Sequence, residues 1–151
     1  MDRRDFIKGA VFATTMMPFG IALATEYEEK GSVQEDTNLL RLRNRENPTA
    51  MEQKHVPGIE APNKVEKGKF FDVKVRVGYI KEHPSTPDHW ITWIKLLVNG
   101  HEVARTEYEM GGVSWSHATF KIKLEKTSTL EAIENCNLHG TWIGDPLTIT
   151  V

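Results

Sequence analysis

A chain of 151 residues with 39% hydrophobic and 26% charged side chains suits one globular domain with a single core. Its net charge of -2, with basic residues scattered among acidic ones, offers no basic stripe for nucleic acid. One cysteine excludes an internal disulfide and leaves that thiol free, intermolecular or bound to a metal.

The chain starts Met1-Asp2-Arg3-Arg4-Asp5-Phe6-Ile7-Lys8 and continues as an apolar run from Ala10 to Ala24. Ala22-Leu23-Ala24 supplies the small-x-small pattern of a cleavage site. Paired arginines before x-Phe-Ile-Lys resemble a twin-arginine export signal, so residues 1–24 are expected to be a signal peptide and the protein periplasmic. The run contains Pro18 and falls short of the ~20 apolar residues a helical span requires, so no stable membrane insertion is expected. A lone thiol sent to an oxidising compartment is a liability unless it is buried or holds a metal.

Residues 25–50 are polar and charge-rich, with Leu39, Leu40 and Leu42 as their apolar cluster near the end. They read as a linker with one short helix near Thr37 to Arg45. Asn47-Pro48-Thr49-Ala50-Met51-Glu52-Gln53 predicts one further helical turn, capped by Asn47 with Pro48 at its first position.

Within the remaining domain, residues 51–151, the period changes to two from Lys69 onward. Phe71, Val73, Val75, Val77 and Tyr79 alternate with Asp72, Lys74, Arg76 and Gly78, as in a strand with one wet face. His89 to Val98 is more continuously apolar and ends at Asn99-Gly100, a strong hairpin signal, with Glu102 to Glu109 returning as its partner. Ala118 to Leu124, Leu130 to Cys136 and Leu147 to Val151 follow as further strands. About seven short strands with turns every ten or so residues predict an all-β fold, an immunoglobulin-like antiparallel β-sandwich.

Three motifs carry chemistry. Cys136-Asn137-Leu138-His139-Gly140-Thr141 places a thiol and an imidazole three positions apart, where a short loop can turn both onto one metal ion. Lys54-His55-Val56-Pro57 and His83-Pro84-(x4)-His89 add three imidazoles, the last two on a loop stiffened by Pro84 and Pro87. Each motif alone has an ordinary reading: two loop histidines, a surface histidine, a buried small thiol. His101 and His117 fall on no motif and read as surface or packing residues.

Together and in this order, the three motifs resemble the iron centre of superoxide reductase, the neelaredoxin and desulfoferrodoxin family, over roughly Glu52 to Val151. The resemblance implies a mononuclear iron (Fe2+/Fe3+) held by His55, His83, His89 and His139 as equatorial imidazoles and by Cys136 as the axial thiolate, with one position open. Imidazoles suit Fe(II), and an anionic sulfur donates electron density along its axis. Lys54 then matches a family lysine that attracts superoxide, and Pro57 and Trp142 shape the site. The implied reaction is one-electron reduction of superoxide to hydrogen peroxide, with a rubredoxin-like or unknown periplasmic protein restoring Fe(II). The family's frequent dimers and tetramers imply a homo-oligomer. One position departs from the pattern: the family usually has a glutamate two residues before the first histidine, and here Gln53 stands there. The departure bears on the sixth ligand of oxidised iron, not on the reaction.

Two non-enzymatic alternatives share the β-sandwich. A blue-copper electron carrier uses Cys-x-x-His but expects a weak axial methionine soon after, where Ile143-Gly144-Asp145-Pro146 stands. A sulfur-compound-binding module expects a flexible cysteine arm, and the chain ends instead on Leu147-Thr148-Ile149-Thr150-Val151.

Overall fold

In the computed structural model, which describes residues 38–151, the period-two segments form two antiparallel sheets packed face to face. After helix α1 (Ala50–His55) come eight strands: β1 (Pro57–Glu60), β2 (Phe71–Val77), β3 (Ile91–Val98), β4 (His101–Glu107), β5 (His117–Ile122), β6 (Ser128–Cys136), β7 (Gly140–Ile143) and β8 (Leu147–Ile149). One sheet has the order β1-β2-β5 and the other β4-β3-β6-β7. Strand β6 is nine residues long, so β7 pairs with Ile133–Cys136 while β8 pairs with Ser128–Leu130. The all-β expectation holds. Strands β1 and β7 are additions to it, because four residues are too few to display a period.

The core lies between the sheets. Val73, Val75 and Val77 of β2 are fully buried and face Ile94, Leu96, Leu130, Ala132 and Ile149. This alternation stops at Val77, not at the Tyr79 that the pattern included. Gly78 adopts φ +72, and Tyr79 is 53% exposed. A side chain at residue 78 would lie 2.3 Å from the Lys81 carbonyl, 2.6 Å from the His83 nitrogen and 2.7 Å from the Lys54 carbonyl. The glycine therefore lets α1 and the 79–90 loop approach each other closely. Asn99 (φ 50) and Gly100 (φ 81) form the expected two-residue hairpin between β3 and β4, both residues left-handed as a type I′ turn demands.

Two local expectations need correction. Residues 38–45 are not helical. Leu40 runs beside β7 instead, its N–H donating to the Thr141 carbonyl (2.9 Å) and its carbonyl accepting from Ile143 N–H (2.8 Å). The free edge of β7 satisfies backbone groups that a short, charge-rich helix would leave to solvent. The next helix is capped by Thr49, not Asn47, and runs on to His55. Thr49 accepts from Glu52 N–H while the Glu52 carboxylate accepts from Thr49 N–H (2.7 Å), a capping box. The expected export signal and the first half of the 25–50 linker, residues 25–37, lie outside the described residues. Among the described residues, no helix is long and apolar enough to cross a membrane.

Candidate metal centre

Four segments meet at one end of the sandwich: the last residue of α1, the loop between β2 and β3, the end of β6, and the turn into β7. Each delivers part of the histidine–cysteine set. His55 ends α1 with its ring 1% exposed, and its Nδ1–H donates to the Met51 carbonyl one turn back (2.7 Å). His83 is equally buried, and its Nδ1–H donates to the Pro84 carbonyl (2.6 Å). Both bonds fix the tautomer so that Nε2 carries the free lone pair. His89 closes a small bridge in which its backbone pairs with Thr86 in both directions.

The four rings stand at the corners of a square. Ring centroids are 4.8 Å apart for His55–His83, 4.6 Å for His83–His89, 4.8 Å for His89–His139 and 4.8 Å for His139–His55. Neighbouring rings are edge-on, at 75 to 83°. The His55–His89 diagonal is 6.2 Å, with the planes only 30° apart. His139 turns Nδ1 inward, 3.0 Å from His55 Nε2 and 3.5 Å from the Cys136 sulfur. One ligand atom each from His55, His89, Cys136 and His139 lies within 4.8 Å of the other three. The Nε2 atoms of His83 and His89 are buried without a hydrogen-bond partner among the described residues. The His83 ligand atom falls outside that 4.8 Å group, yet buried ring nitrogens left unpaired at a cluster of imidazoles are what a cation would satisfy.

The electrostatics favour the same reading. Burial first, then neighbouring imidazoles, pushes His83 down to about 4 against the opposing Pro84 bond. Burial likewise lowers His55 and His89, and the Lys54 ammonium adds to the effect at both. His83 therefore stays neutral, with its lone pair available, well into mild acid, and His55 and His89 are shifted in the same direction. Burial raises the Cys136 thiol, while the N–H groups of Leu138 and His139 pull it down. Burial prevails, so it is a cation at the square that would deprotonate the thiol.

Four imidazoles in a square suit neither tetrahedral zinc nor the trigonal His2Cys set of blue copper. Nor is Cys136 on a flexible arm: it pairs with Gly140 across the β6–β7 turn and is 2% exposed. The donor set, four neutral nitrogens and one thiol, fits iron.

The motifs pointed to all five of these residues. They did not single out Asn137 within Cys-Asn-Leu-His. Its Oδ1 accepts from Trp90 N–H (2.9 Å), its Nδ2–H donates to the Asp88 carbonyl (2.8 Å), and its N–H donates to the Trp90 carbonyl (3.1 Å). Asn137 thus ties the His89 loop to the Cys136–His139 turn, 47 residues away in sequence from Trp90. Trp142 stacks on His55 (5.2 Å, 22°) and donates from its indole N–H to the His139 carbonyl (3.1 Å). Gln53 is half-buried, its amide donating to the Pro48 carbonyl (2.9 Å). Both carboxylate oxygens of Glu52 are engaged, by Thr49 and Arg43 N–H groups. Lys54 is half-buried beside the square. His101 and His117 begin β4 and β5, outside it.

Comparison with known proteins agrees with this geometry. A family model described as Desulfoferrodoxin matches residues 47–145. Superoxide reductase of Pyrococcus furiosus is 35% identical over 107 residues, covering 60% of this chain and 84% of that protein. Neelaredoxin of Megalodesulfovibrio gigas is 33% identical over 107 residues, covering 60% of this chain and 82% of its own. The structure of superoxide reductase (neelaredoxin) from Ignicoccus hospitalis superposes with a TM-score of 0.58 at 38% identity, covering 64% of this chain and 80% of that one.

Proposed function

The chain belongs to the desulfoferrodoxin family, and from that premise we propose how its own residues serve the reduction of superoxide to hydrogen peroxide. The observation that carries the reading is the square of four imidazoles with the Cys136 sulfur beside it. His55, His83, His89 and His139 would hold iron through ring nitrogens, and Cys136 would hold it through sulfur. Bound there, iron would supply the one electron that superoxide takes up, returned to it by an external donor.

The protein's contribution is preorganisation. Met51 and Pro84 carbonyls hold two rings in the ligating tautomer before metal arrives. Trp142 covers the His55 face and keeps water from that side. The N–H groups of Leu138 and His139 favour the thiolate and moderate its donation to the metal. Lys54 places a positive charge close enough to be felt at His55 and His89. That charge draws superoxide inward and favours the more highly charged peroxide product.

Export belongs to the same proposal. A signal over residues 1–24 and a periplasmic location are supported by the arginine pair and its apolar run. The polar stretch to residue 50 then links the signal to the iron domain at 51–151, and the donor is a protein of the same compartment. Assembly as a homo-oligomer is also part of the reading. The test is to mix anaerobic, iron-loaded protein with superoxide under fast optical detection and count products. One peroxide per superoxide with no dioxygen is expected; loss of bound metal, or superoxide consumed with dioxygen released, refutes it.

A further inference from the structure

The proposed reaction consumes one electron per superoxide, and the sole cysteine lies inside the iron site, so a thiol-held second redox centre has no place in this chain. The proposed external donor must dock to deliver that electron, and the geometry points to where. The β4–β5 loop, residues 108–116, carries Met110, Val113 and Trp115 at 67%, 73% and 63% exposure. It lies on the His83 loop around an open hollow of about 500 Å³ lined by both segments.

This apolar surface is built, not loose. Gly111 sits where a side chain would meet the Thr86 carbonyl at 2.2 Å and the Trp90 ring at 2.7 Å. Gly112 (φ +75) donates its N–H to Ser85 Oγ (3.1 Å), and a side chain there would lie 3.0 Å from Pro87. Trp115 donates from its indole N–H to the Glu82 carboxylate and stacks on His117 (4.9 Å, 21°). The two loops are therefore held as one platform, with three large apolar groups facing solvent on it.

The platform adjoins the metal site through a single residue. His83 lines the hollow, and so does Pro84, whose carbonyl accepts from His83 Nδ1–H. A redox group docked here meets the metal site through one imidazole.

We propose that this platform, Val113 and Trp115 lining the His83–Pro84 hollow with Met110 exposed on the same loop, is the docking site for a one-electron protein whose apolar contact face is ringed by lysine or arginine. The inference rests on the superoxide reductase reading. The charge of the partner follows from the rim: the two loops, residues 80–90 and 108–116, carry Glu82, Asp88 and Glu109 against Lys81. Carboxylates around an apolar centre select a basic partner and speed its encounter. Three exposed side chains also suit the small interfaces of transient redox pairs, which bury under about 1,200 Å². In each encounter the donor loses one electron and the oxidised centre gains it, with no bond made and no proton moved.

The test uses the full iron-loaded protein with three partners: basic cytochrome c, an acidic rubredoxin, and ascorbate as a small reductant. Electron exchange is followed in whichever direction runs downhill, and association with cytochrome c is measured separately by calorimetry. Cytochrome c should exchange faster than rubredoxin at low salt and lose that advantage as salt rises. Met110→Ser with Val113→Ser, and separately Glu109→Lys, should slow cytochrome c exchange and weaken its binding about tenfold. Ascorbate reduction and the superoxide reaction should be unchanged, which also shows that the variants are folded. Unchanged cytochrome c binding and exchange in both variants overturns the proposal, as does faster exchange with rubredoxin. So does a wild-type dimer that these substitutions dissociate, because the platform would then be a self-interface. Failure of superoxide consumption in the parent protein refutes the functional reading instead, and the binding measurement still decides the platform.

Discussion

His55 Nε2 lies 3.0 Å from His139 Nδ1, although the residues are 84 apart in sequence. His55 already donates its only neutral-state proton, from Nδ1 to the Met51 carbonyl. Its Nε2 therefore presents a lone pair to His139. Without metal, His139 can pair with it only as a donor. With metal, both nitrogens and the neighbouring Cys136 sulfur become ligands of one ion, and the buried Nε2 atoms of His83 and His89 gain a partner as well. Iron should accordingly stabilise the fold as well as serve the reaction. Chelation is expected to lower the thermal midpoint; a midpoint indifferent to iron would show that the square is not the metal site.

Removing the sulfur isolates its contribution. Cys136→Ser should abolish the thiolate-to-iron charge-transfer absorption of the oxidised protein, because a serine oxygen is harder and poorly ionised near neutral pH. Cys136 is buried and pairs with Gly140 across a tight turn, so the substitution changes chemistry more than shape. Persistence of the band in the variant would exclude Cys136 as a ligand.

The imidazoles predict a pH dependence with a definite sign. His83 is held down at about 4 against an ordinary 6.5, and His55 and His89 are lowered too, burial being the first cause for each. Above about 6.5 the rings are neutral whether folded or not. As pH falls from there towards about 4, the unfolded chain takes up protons that the native state resists. Native stability should fall across that window, by on the order of 3 kcal/mol for His83 alone. Denaturant midpoints of the metal-free protein between pH 7 and pH 4 check this, and a flat profile contradicts it.

Glu134 acts in the opposite direction. It is fully buried on β6, two residues before Cys136, and neither carboxyl oxygen has a hydrogen-bond partner among the described residues. Burial raises its carboxyl well above the ordinary 4.5. Stability from the neutral form is complete below about 4.5 and drains away as pH rises towards the folded value. Glu134→Gln keeps the shape without the titration. Its advantage over the parent protein should therefore grow between pH 4 and pH 8; an equal difference at both ends would assign Glu134 no part in the pH profile.

Much of this arrangement was legible in the sequence, for reasons particular to each element. The valines of β2 alternate because one face is buried, and Asn99-Gly100 states its turn outright. The five histidine and cysteine candidates stood out because their residue types are scarce and their order is specific. What stayed hidden depends on contacts far apart in sequence. Leu40 joins the edge of β7 a hundred residues on, and nothing in its polar neighbourhood announces a bridge. The Asn137 clamp needs Trp90 beside it. The Thr49–Glu52 capping box, by contrast, is a local signal, obscured by Asn47-Pro48 just before it.

The same helix suggests what closes the site in its oxidised form. Glu52 spends both oxygens on the Thr49 and Arg43 N–H groups, and Gln53 donates its amide to the Pro48 carbonyl. Neither side chain is free to offer a carboxylate to the metal, where the family pattern places a glutamate. The oxidised, iron-loaded protein should therefore bind small anions such as azide readily, aided by the neighbouring Lys54 charge. Gln53→Glu reverses this. A carboxylate cannot donate to the Pro48 carbonyl, and two acceptors repel, so the new side chain is released from that contact. Azide should then bind at least about tenfold more weakly at pH 7, read from the shift of the charge-transfer band, as a tethered carboxylate competes with it. Lys54→Ala should also weaken azide at low salt and slow superoxide capture by about tenfold, with iron content unchanged. If Gln53→Glu leaves azide affinity as it was, the carboxylate does not reach the metal from residue 53, and the open position owes nothing to the glutamine.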